Sequence, residues 1–162
     1  MLRRLFPVIY KLGPRMVNRL IMNKMSELIP FNKLLGIELQ EVGDGYGRAY
    51  LPRREDLLNH IGTVHATAIY GLAEAASGCA MAGAMAPFIA GLKPIAASAK
   101  VDYLKAAKSN LTAIAKTAEQ PATLRKQLTC ERKIRFAVDV EVFDAEDSHV
   151  ASICVQWHVS LR

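Results

Sequence analysis

A single carboxylate stands in the longest apolar run of this chain. Between His65 and Lys93 only Glu74 is formally charged, and small or apolar residues fill most of the interval. Burying a lone carboxylate costs several kcal/mol, so Glu74 must be solvated, paired or used. Burial also lifts its pKa toward the range in which a carboxylate takes a proton from water or attacks a carbonyl. Just upstream lies a polar cluster of Asn59, His60, Thr63 and His65. His60 and His65 stand five apart with no further Cys or His nearby, so metal-ligand spacing is missing. There is no phosphate-cradling Gly loop, and no basic patch interleaved with aromatics as on a nucleic-acid surface. The chemistry left to this stretch is proton transfer or nucleophilic attack.

The elements that would position these groups follow from pattern. Residues 63–85 are apolar all round, which predicts a helix buried on every side, with Thr63 as its N-cap. The run is long enough to span a bilayer, but an acidic group at its centre opposes insertion by about 2.5–3.5 kcal/mol. Its many small residues instead let a sheet wrap closely around it. Residues 35–40 and 46–51, about Gly43-Asp44-Gly45, predict a hairpin that Pro52 ends. Beyond Pro87 and Gly91, strand patterns occupy 94–105, 110–117, 132–143 and 150–161. The clearest sets Val138, Val140 and Val142 against Asp139 and Glu141. Residues 119–131 predict a long polar loop. The fold class expected is α+β: a long central helix wrapped by a curved antiparallel sheet of five to six strands. Such a sheet leaves edges that pairing with a second chain would cover.

With 162 residues, 51% of them hydrophobic and 22% charged, the chain has the makings of one domain with a real core. Its net charge of +6 is concentrated at the front. Residues 1–30 hold Arg3, Arg4, Lys11, Arg15, Arg19 and Lys24 against Glu27 alone. Residues 1–32 therefore read as a basic amphipathic helical segment ahead of a domain at 33–162. Three uses stay open for that segment: a helix packed on the domain, peripheral contact of residues 1–29 with an anionic membrane, or organelle-type targeting. Lys11 interrupts its apolar residues and no small-residue cleavage site follows, which argues against a secretory signal. Cys79, Cys130 and Cys154 are odd in number and show no CxxC spacing, which suits a reducing cytoplasm.

This layout resembles the hotdog fold, and in particular the acyl-CoA thioesterases of the phenylacetate-pathway and 4-hydroxybenzoyl-CoA type. Many of these carry Asn, five residues, then His-Gly-Gly, with an acidic residue eight past the first Gly. Here Asn59 is followed by His65, Ala66 and Thr67, with Glu74 eight past Ala66. The glycine pair is absent, so the chain looks like an uncharacterised branch. The resemblance covers about residues 33–162. It implies Glu74 as general base or nucleophile, the Ala66 N–H as oxyanion donor and Asn59 as the group orienting water or carboxylate. His65 and Thr67 would border the substrate, His65 chiefly by holding the turn. A strand hydroxyl that such enzymes often use falls near Ala96, leaving Ser98 two positions on as the candidate. Arg125 and Lys126 would meet the phosphates of coenzyme A, which enters as part of the substrate; no cofactor is implied.

Residues 66 and 74 lie about 12 Å apart along one helix, at 1.5 Å per residue. One water cannot touch both, so the resemblance implies a homodimer, or a dimer of dimers, in which each site draws on two chains. A non-catalytic acyl-CoA- or lipid-binding hotdog protein is the rival reading. A hotdog dehydratase is a further one, because His60 precedes Glu74 by fourteen residues. The intervening segment lacks the proline that class carries.

Overall fold

The computed structural model describes residues 13–162. Two helices come first, α1 at Pro14–Leu28 and α2 at Pro30–Leu35. The sheet begins with β1 at Glu38–Gly43 and β2 at Tyr46–Leu51, followed by the central helix α3 at Ala66–Ala84. Strands β3 at Leu92–Tyr103 and β4 at Leu111–Thr117, helix α4 at Pro121–Glu131, and strands β5 at Lys133–Phe143 and β6 at His149–Leu161 complete the order. The six strands form one sheet in the order β1-β2-β4-β5-β6-β3, antiparallel throughout. The expected 1–32 segment falls partly outside the described residues, which begin at Gly13.

Period-two alternation makes the sheet two-faced. Val138, Val140 and Val142 on β5 and Ala151, Ile153 and Val155 on β6 are buried toward α3, while Asp139 and Glu141 face outward. The helix can be wrapped because its surface is small. A Cβ at Gly47 would collide with the Ala76 carbonyl and come within 2.7 Å of the Ala80 nitrogen, so β2 lies almost backbone to backbone on α3. Val17 and Ile21 of α1 are buried in the same core. Among the described residues no helix is long and apolar enough to cross a membrane.

Three expectations are corrected. Residues 119–131 are not a loop: Pro121 opens α4, and Leu124 and Leu128, one turn apart, are both fully buried. The first strand starts at Glu38, because 30–35 make a short helix that Gly36 ends in the left-handed conformation. The central helix starts at Ala66 and is capped by His65, not Thr63. Thr63 is consumed in the preceding turn, where its hydroxyl accepts from the Asn59 side chain at 2.8 Å.

The sheet ends in β1 on one side and β3 on the other, and β3 is the longer edge. It pairs only with β6, and nearly all of its residues are exposed on the single chain. Twelve residues of open strand edge are a template for another chain.

Candidate active site

The start of α3 is built by the loop before it. Asn59 Oδ1 accepts from the backbone N–H of Ile61 and of Thr63, each at 3.1 Å, and its amide donates to Thr63 Oγ1. These bonds fix a turn in which Gly62 takes a positive φ of 76°. An amide has two donor hydrogens, so one Asn59 N–H is left over among the described residues. His65 stays extended and its Nδ1 accepts the Thr67 N–H at 3.1 Å. With that donor capped and the Ala68 and Ile69 N–H groups turned to the His65 carbonyl, the Ala66 N–H has no partner among the described residues. Ala66 and Thr67 are exposed, so this donor is open to a ligand at the positive end of the helix. Tyr103, at the end of β3, donates to the Ala66 carbonyl at 3.0 Å and steadies the same corner.

Glu74 lies two turns further along. It is half-buried, and no described side chain or backbone group donates to its carboxylate. Burial holds its pKa above the ordinary value of 4.5. Tyr70, one helical turn earlier, has its phenol pushed up first by burial and then by the Glu74 charge. Tyr70 and Tyr103 are further site neighbours, and the i, i+4 spacing of Tyr70 and Glu74 is the sequence signal for the first of them. Cys79, deeper in the helix, is pushed up to about 12 by burial and the Glu74 charge, so its thiol stays protonated and inert.

Glu74 borders a cavity of about 630 Å³ between α1, α3 and the start of β3. Its lining is almost wholly apolar and includes Ile21, Met25, Gly78 and Trp157. A volume of this size falls in the range of small-molecule pockets, roughly 300–1,000 Å³. Among the described residues no group of His, Cys, Asp and Glu could hold a metal ion.

The remaining expected residues are placed elsewhere. Ser98 does not share a face with Ala96, because a bulge interrupts β3 between them. Ala96 lies opposite Trp157, which lines the cavity, whereas Ser98 lies opposite Gln156 on the outer face. Arg125 is committed to the fold: it pairs with Asp44 at 2.6 Å and donates to the Ala84 carbonyl at 3.0 Å. It thereby ties α4 to the β1–β2 turn and to the far end of α3. Lys126 is exposed beside it, with no partner among the described residues.

Arg125→Ala should therefore cost stability. The pair is partly exposed and the carbonyl bond is charge-assisted, so about 1–2 kcal/mol is expected in urea unfolding. A raised KM for an acyl-CoA with unfolding unchanged would instead restore Arg125 to the substrate.

The sequence model of a family described as a domain of unknown function, DUF4442, matches residues 17–159. No curated protein matches the chain. Among solved structures, the Escherichia coli PaaI protein from the phenylacetic acid degradation operon is similar, with 21% identity and a TM-score of 0.72 over 88% of this chain and 93% of that one. A Pseudomonas aeruginosa protein of unknown function, described as a probable thioesterase, has 22% identity and a TM-score of 0.75 over 89% of this chain and 95% of its own. A hypothetical thioesterase from Streptococcus pneumoniae, solved with coenzyme A, has 20% identity and a TM-score of 0.60 over 78% and 87%. At these identities the likeness concerns the fold, and the fold is the hotdog.

Proposed function

The chain belongs to the DUF4442 family, and from that premise we propose that it hydrolyses an acyl-CoA thioester at a site completed by two subunits. The observation that carries this reading is the Glu74 carboxylate, half-buried beside an apolar cavity with no partner in the described structure. A carboxylate kept merely for structure would be hydrogen-bonded. The similar fold solved with coenzyme A in the Streptococcus protein agrees with the substrate class.

In this reading Glu74 takes a proton from water as the oxygen attacks the thioester carbonyl carbon. The developing oxyanion is met by the Ala66 N–H of the partner subunit and the positive end of that helix. Collapse breaks the C–S bond. The Glu74 proton passes to the leaving sulfur, giving free coenzyme A and a carboxylic acid. Attack by the carboxylate itself is the alternative first step. It gives a mixed anhydride that water then cleaves.

Two chains are needed because Ala66 and Glu74 of one helix are about 12 Å apart. Pairing of β3 with β3 of a second copy is the natural cover for the exposed strand edge. Asn59, three of whose hydrogen bonds hold the loop, has one N–H left to orient water. Lys126 is the cation still available for the coenzyme phosphates. The inert Cys79 and the odd cysteine count fit a cytoplasmic setting. Exposed Met16, Leu20 and Leu28 beside Arg15 and Arg19 keep peripheral membrane contact within this reading.

The test is turnover by the purified full-length protein of aryl, short-chain and long-chain acyl-CoAs, followed through the released thiol. Hydrolysis of at least one of them is expected. Acyl-CoA binding without turnover of any would overturn the hydrolase reading in favour of a non-catalytic binder.

A further inference from the structure

The glycines of α3 differ in what they are for. A Cβ at Gly83 would run into the Gly43 carbonyl, and one at Gly71 would meet Leu35 Cδ1 at 2.7 Å. Backbone packing demands glycine at 83, whereas at 71 the Leu35 side chain would have to shift. At Gly78 the nearest atoms to such a Cβ are Met25 Cε at 3.4 Å and Trp157 Cζ2 at 3.8 Å, which are ordinary contacts. Packing leaves room for a methyl there, and glycine weakens a helix interior relative to alanine. What glycine preserves at 78 is the open volume of the cavity beside Glu74.

We infer that this cavity receives a medium- to long-chain aliphatic acyl group, and that Gly78, facing Met25 and Trp157, sets how much chain it admits. The inference rests on the thioester reading of Glu74. Glu74, Gly78 and Ala82 follow one another at four-residue spacing along the cavity wall, a run of about 12 Å on one helix face. A trough of that shape suits a linear chain better than a compact aryl ring. Its floor is rigid. The indole N–H of Trp157 donates to Ser77 Oγ at 3.1 Å, and Ser77 donates in turn to the Glu74 carbonyl at 2.7 Å. Its other wall is α1, which contributes Ile21 and Met25. The N-terminal helix is thus part of the acyl pocket rather than an appendage.

Full-length wild type, Gly78→Ala and Gly78→Leu would be assayed with butyryl-, octanoyl- and palmitoyl-CoA. A fluorescent long-chain fatty acid would be titrated on the same samples, with thermal melting as the check on folding. In Gly78→Leu the palmitoyl-to-butyryl ratio of kcat/KM should fall at least tenfold, roughly the lower bound for a methylene-scale change in an apolar pocket. The fatty acid should bind more weakly in parallel, with Gly78→Ala between. Should Gly78→Leu not fold, Met25→Trp fills the same space from α1 and takes its place.

Wild type that turns over no acyl-CoA but binds the fatty acid in a Gly78-dependent way would remove the hydrolase reading and keep the pocket. Unchanged ratios with unchanged fatty-acid binding in the folded variant would overturn the inference. So would a wild type that binds no fatty acid, since the cavity would then be filled by protein.

Discussion

Glu74→Gln is expected to lose hydrolysis by about 100- to 10,000-fold, the range a positioned acid–base group contributes, while melting at a higher temperature near neutral pH. Both results come from one cause. Burial without a partner raises the Glu74 pKa above its ordinary 4.5, so over the interval between the two values the folded chain holds more protons than the unfolded one. The stability this group contributes is complete below the unfolded pKa and is lost as pH rises through the folded pKa. At neutral pH the wild type carries a buried charge that glutamine removes. The difference in melting temperature between Glu74→Gln and wild type should therefore grow as pH is raised from about 4.5, its ordinary value. Wild-type kcat/KM should fall on the acid side with a midpoint above 4.5. A stabilised but inactive variant is what a strained functional group leaves when it is neutralised. A variant that keeps its turnover would remove Glu74 from the chemistry, whatever its melting temperature.

How much of this was legible beforehand depended on whether the signal was local. The strands were, because Val138, Val140 and Val142 alternate with acidic residues and burial on one face leaves no other register. The central helix was, because a long run of small and apolar residues with Glu74 as its one charge suits a helix that a sheet wraps closely. Its first residue was not, because the cap is an imidazole nitrogen of His65 and the more usual hydroxyl of Thr63 is spent on Asn59. Helix α4 is masked by a polar composition, and its signal is only the four-residue spacing of Leu124 and Leu128. Ser98 was misplaced because one extra residue in β3 reverses the side of every later side chain, and sequence alternation carries no mark of a bulge. The cavity was invisible because its walls come from α1, α3, β3 and β6, brought together only by the tertiary fold.

The proposed two-subunit site makes a sharper demand, which Ala66→Pro can test. Proline at the first position of a helix is well tolerated, since that N–H has no partner within the helix. The residue before a proline must be extended, and His65 already is, at φ −62° and ψ 139°. The substitution therefore removes the proposed oxyanion donor with little cost to the fold. Loss of one such donor should lower kcat by about 100- to 1,000-fold. Glu74→Gln and Ala66→Pro homodimers should each be nearly inactive. When the two are unfolded, mixed in equal amounts and refolded together, half of the dimers pair one chain of each kind. Each mixed dimer then has one site carrying both changes and one carrying neither. Activity should return to roughly a quarter of wild type if a site takes its base from one chain and its donor from the other. If both groups of a site came from the same chain, every site would carry one change or the other and mixing would restore nothing. That second outcome would force Glu74 and Ala66 to act across 12 Å of a single helix, roughly eight residues at 1.5 Å each, which one water cannot bridge.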